Sequence, residues 1–174
     1  MRLAPLTFFV TALSVLLTPA ALARTLSIVE APGLGAPARH GLEKFEAAVR
    51  AQGWEVEEVA SVESAGGDGI VMVGLAFAIQ TWPSVPEFAH PLDAPEAFAV
   101  KKFSIGGKPA VLFAGADNRG LMYALLEAAA SIAVVSGPAE LLDAIRDVEE
   151  KPAIRDRALS VYTMNRDYWE SRFY

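Results

Sequence analysis

A chain of 174 residues, 53% hydrophobic and 21% charged, carries enough apolar surface to close one ordinary globular core, which excludes a disordered segment. Lys and Arg total 15 against 21 Asp and Glu, and the net charge of −6 provides no basic field for a nucleic-acid partner. With no cysteine, disulfide scaffolds, zinc ribbons, thiol nucleophiles and dithiol redox chemistry are excluded.

Residues 1–23 have the anatomy of a secretory signal peptide. Arg2 forms a short positive start, an apolar stretch runs from Leu6 to Leu17, Pro19 breaks it, and Ala21-Leu22-Ala23 is a small-residue exit. The apolar run is shorter than the roughly 20 residues of a bilayer span. The expectation is therefore an exported protein, periplasmic or extracellular, with no membrane attachment once the leader is removed.

Thr25 to Ala31 reads as a strand closed by the turn Pro32 to Pro37. A helix follows over Ala38 to Gln52, with Leu42, Phe45 and Val49 on one face, Glu46 and Arg50 spaced for an i,i+4 pair, and Gly53 as its stop. Trp54 to Val59 is a second strand, and the pattern predicts a βαβ unit with parallel strands. Ile70 to Gly74 is apolar on both parities, as a central strand should be. Trp82 to Pro95 has no clean period and reads as loop.

Ala97 to Ile105 and Lys108 to Ala114 flank Gly106-Gly107, a two-residue hairpin turn. Asp117 or Asn118 caps the next helix, which runs to about Ile132 with so few polar residues that burial is expected. A third helix is predicted from Pro138 to Val148 on the spacing of Leu141, Leu142, Ile145 and Val148. Glu149 to Pro152 reads as a linker, and Ala158 to Thr163 as one more strand in an aromatic, charged tail. That strand has no partner to cover it, which predicts continuation into further polypeptide.

The search for chemistry returns little. His40 and His90 lack metal-ligand spacing, Gly33-Leu34-Gly35 lacks the spacing of a phosphate loop, and no calcium ladder or nucleophile elbow is present. No metal, cofactor or catalytic residue is assigned. Among the carboxylates that glycoside hydrolysis would need, Glu55, Glu57, Glu58, Glu63, Asp143 and Asp147 fall on predicted solvent faces. Glu127 stands alone on an apolar helix, where it is either buried with a raised pKa or meets an arginine at the rim.

Two segments together resemble a known family. One is Pro95 to Ile132, with a Gly-Gly hairpin, a strand ending Ala114-Gly115-Ala116-Asp117, then Arg119-Gly120 and Tyr123 opening an apolar helix; the other is Lys151 to Arg157 ahead of a new strand. They resemble the accessory α+β domain that precedes the (β/α)8 barrel in bacterial exo-glycosidases, the β-N-acetylhexosaminidases and α-glucuronidases. The resemblance implies a mixed β-sheet packed against two helices over residues 24–150, then a linker and the first strand of an incomplete barrel over 151–174.

It also implies a non-catalytic domain of an exported carbohydrate-active enzyme, partnered by its own catalytic barrel, with the catalytic carboxylates lying in that barrel. By the same resemblance Arg157 matches an arginine that contacts substrate hydroxyls, a structural ion pair being the other reading, while Ala158 stands where those enzymes carry glycine. Asn165, Arg166 and Trp169 are candidates to line a sugar site, since polar groups beside an aromatic platform suit carbohydrate. The alternative function is a stand-alone exported module that binds polysaccharide or protein through Trp82, Tyr168, Trp169 and Phe173.

Overall fold

The computed structural model describes residues 24–82, 85–135, 137 and 141–154. In chain order these form β1 (Thr25–Glu30), α1 (Ala36–Ala51), β2 (Glu55–Val59), β3 (Gly69–Leu75), β4 (Phe98–Ile105), β5 (Lys108–Gly115), α2 (Asn118–Ala133) and β6 (Val148–Glu150). The six strands make one mixed sheet in the order β2-β1-β3-β5-β4-β6. β1 pairs in parallel with β2 and β3, and β3 with β5; β4 runs antiparallel to both β5 and β6. The fold is α+β, with a mixed sheet and two α-helices among the described residues, as the family resemblance implies.

Alternation along the strands divides the interior into two layers. On one face Leu26, Ile28, Val71, Val73, Val111 and Phe113 meet Leu42, Phe45 and Val49 of α1 and Leu121, Leu125 and Ile132 of α2. The rings of Phe45 and Phe113 pack edge to face with centroids 5.2 Å apart. On the other face Val29, Met72, Leu112 and Ala114 are buried with no α-helix over them among the described residues; Ile79 from a single 3-10 turn (Ile79–Thr81) and Trp82, Val85, Phe88 and Leu92 from the Pro-rich loop pack there. β3, buried at every position, is the central strand.

Glycines set the close approaches. Gly106 and Gly107 both take positive φ, +58° and +81°, and turn β4 into β5 as the hairpin reading requires. A side chain at Gly41 would lie 3.0 Å from the Met122 Cα, so this glycine lets α1 and α2 cross closely. The expected Glu46 to Arg50 pair forms at 2.8 Å.

Three expectations need correction. Residues 141–145 form a turn, not the body of a helix: Leu141, Leu142 and Ile145 are buried in the helix-side core, but from irregular backbone. Apolar residues spaced for a helical stripe also suit a turn capping the end of a core. The Asp147 carboxylate then accepts from the Lys102 amide at 2.5 Å and starts a new strand. Glu149 and Glu150 accordingly belong to β6 and not to a linker. α2 is less covered than its composition suggests: Leu121, Ala124, Leu125, Ala128 and Ile132 are buried, while Tyr123 is 39% exposed.

Candidate docking face at the exit strand

Local chemistry at the carboxyl ends of the parallel strands fixes where α2 starts. Asp117 is its N-cap: Oδ1 accepts from the Arg119 and Gly120 amides at 2.9 Å each, and Oδ2 accepts from the Glu96 amide at 2.9 Å. Glu96 pairs with Arg119 at 3.4 Å and adopts φ +63°. The Asn118 side chain accepts from the Gly35 amide at 2.7 Å, tying the start of α2 to the start of α1. Gly33 and Gly35 therefore form a structural turn, with the Gly35 amide committed to Asn118.

Gly115 and Gly120 explain why this stretch has the residues it has. A methyl group at Gly120 would collide with the Ala97 carbonyl and lie 2.9 Å from the carbonyl carbon of Glu96; at Gly115 it would lie 2.5 Å from the Leu121 amide nitrogen. The pair lets the helix press directly onto β4 and β5.

β6 ends the sheet, and its outer edge has no partner strand among the described residues. Glu149 anchors it. The carboxylate lies 2.5 Å from the Lys101 ammonium and accepts from the Ala89 amide at 2.9 Å and the His90 amide at 3.0 Å. Burial works against its charge, but the Lys101 hydrogen bond and the two amides outweigh that and hold its carboxyl below the usual carboxylate range. One side chain thus fastens the exit strand both to β4 and to the loop that covers the second layer of core.

A groove flanks β6 on each side. The helix-side groove, about 310 Å³, is lined by Glu96, Phe98, Tyr123, Glu127, Glu150, Lys151 and Pro152. The loop-side groove, about 340 Å³, is lined by His90, Pro91, Leu92, Ala97 and Glu149 to Lys151. Lys151 borders both, and Ile154 just beyond is 64% exposed. Among the described residues the arrangement offers apolar wall, mixed charge and an unpaired strand edge, features that suit contact with polypeptide.

The other candidates resolve into structural roles. Glu127 pairs with Arg146, the outcome expected for a lone glutamate at a helix rim. Glu57 accepts from Ser27 Oγ at 2.5 Å, and Asp143 pairs with Lys102 at 3.7 Å. His40 and His90 are exposed, and no group of acidic or histidine side chains suited to a metal is present among the described residues. Trp82 is half-buried against the second core layer. Arg157, Asn165, Arg166, Trp169 and the strand expected over Ala158 to Thr163 lie outside the described residues, as do residues 1–23. No described helix is long and apolar enough to cross a membrane.

Sequence reasoning missed β6 and the Glu149 clamp. The available signal was one apolar residue, Val148, followed by two acids, too short a run to distinguish a strand from a linker.

No family model matches the chain, and no curated protein matches it either. Among solved structures, its fold is similar to part of a GH138 enzyme targeting pectin rhamnogalacturonan II, with a TM-score of 0.50 and 14% identity. The match takes in 74% of this chain and 15% of that enzyme. What the likeness establishes is a fold held in common with one portion of a much longer glycoside hydrolase.

Proposed function

We propose that residues 24–150 are the accessory domain of an exported carbohydrate-active enzyme, of the type found in β-N-acetylhexosaminidases and α-glucuronidases. The domain packs against a (β/α)8 barrel that begins, after a linker, within residues 151–174 and steadies it, while the hydrolytic carboxylates belong to that barrel. One observation carries the reading: the fold matches a small portion of a long glycoside hydrolase; the grooves on both sides of Lys151, beside the last described strand, are consistent with it.

In this reading Tyr123, Phe98, Leu92 and Pro152 are the apolar part of the docking surface, and the outer edge of β6 is covered by the barrel. Arg157, Asn165, Arg166 and Trp169 lie on the barrel side of the junction, where they meet sugar. The test is to express the polypeptide encoded beyond Tyr174 with and without residues 24–150. The expected result is a glycosidase whose barrel loses thermal stability or solubility when the domain is removed. A barrel equally stable and active without it contradicts the proposal.

A further inference from the structure

Residues 85–95 cross the second layer of core with no helix or strand of their own. Pro86, Pro91 and Pro95 fall within this strap, so it has few amides to offer and little freedom to bend. Val85, Phe88 and Leu92 pack on the sheet, and each is only half-buried. Ala94 closes a local turn by accepting from the Ala97 amide at 3.1 Å. Otherwise, among the described residues, the hydrogen bonds of the strap to the domain end on one side chain. The Ala89 and His90 amides donate to the two carboxylate oxygens of Glu149, at 2.9 and 3.0 Å.

The strand that carries this latch is itself lightly held. β6 has three residues and pairs, among the described residues, with β4 alone. Glu149 is its middle residue, and the carboxylate also meets the Lys101 ammonium of β4 at 2.5 Å. His90, Pro91 and Leu92 in turn wall the groove beside Glu149. If β6 leaves β4, the carboxylate is drawn off both strap amides. If the strap lifts, Glu149 keeps Lys101 but loses both amides, and β6 loses its cover on that side. Neither movement breaks the pairing of β3 with β1 and β5, and local openings draw on the segments with the fewest buried contacts.

We infer that residues 85–95 and β6 open and close as one unit, latched by Glu149, while the parallel strands stay paired. By linkage, any contact that favours a paired β6 favours a closed strap to the same extent, and the reverse.

Amide hydrogen exchange of the full chain tests this from the strap side. Phe88→Ala removes a ring that packs on the second layer. The expected result is exchange about tenfold faster over 85–95 and, within about twofold of that factor, over 148–150, with Gly69–Leu75 unchanged. Leu92→Ala, a smaller deletion, gives the same pattern and carries the test if the phenylalanine variant does not fold. In Glu149→Gln both segments exchange faster; adding Phe88→Ala then speeds 85–95 further and leaves 148–150 where the single variant put it. Faster exchange of the strap alone in Phe88→Ala, or a further gain over 148–150 in the double variant, overturns the inference. So does an equal rise over Gly69–Leu75, which would mean that the whole domain opens.

Discussion

The Lys101 ammonium and the Glu149 carboxylate meet at 2.5 Å across the last pair of strands, and the same carboxylate receives the amides of Ala89 and His90. Three segments distant in sequence depend on one charge. Glu149→Gln removes it while preserving shape and should cost about 1–3 kcal/mol, with faster hydrogen exchange at Ala89 and His90. Its folded pKa is depressed, so the stability it contributes is present above the unfolded value near 4.5 and is lost as pH falls through the folded value below that. Denaturant titrations should therefore show the deficit of the variant at neutral pH shrinking as the pH is lowered through that window.

Glu30 behaves in the opposite sense. Burial, then the negative charge of Glu58, raise its carboxyl above the usual range, against the opposing pull of Arg39. A raised acid favours the folded state below the unfolded value near 4.5, and that advantage is lost as pH rises through the folded value. Glu30→Gln should stabilise the domain at neutral pH and do nothing below about pH 4. The gain should stay under about 1 kcal/mol, since Glu30 is only partly buried and solvent screens its repulsion by Glu58. Thermal denaturation at both pH values reads the difference.

Gly120 and Gly33 separate close packing from backbone conformation. Gly120→Ala drives a methyl group into the Ala97 carbonyl and should cost about 1–3 kcal/mol or more, with β4 displaced. Gly33→Ala meets no neighbouring atom but must hold φ +95°, which should cost about 1 kcal/mol. Urea unfolding of the two variants should rank them in that order.

How much of this was legible in the sequence follows from how local each signal is. The Gly106-Gly107 hairpin, the stripe of Leu42, Phe45 and Val49, and the uniformly apolar β3 depend on neighbours within a few residues, and they are found where periodicity places them. Leu141, Leu142 and Ile145 are core residues as predicted, but burial alone did not decide their backbone. β6 is an edge strand of three residues whose partners, Lys101 and the Ala89 and His90 amides, lie about 50 or 60 positions upstream. Nothing in a local pattern announces such a clamp. Asp117 was legible as a cap, whereas the reach of Asn118 to Gly35 came only from the packing of α2 on α1.

In the function proposed above, this domain supports hydrolysis without performing it. The most direct measurement compares aryl-glycoside hydrolysis by purified residues 24–174 with hydrolysis by the same residues joined to the polypeptide encoded downstream. Turnover is expected from the longer product alone. Turnover by residues 24–174 that disappears in Glu127→Gln would contradict it.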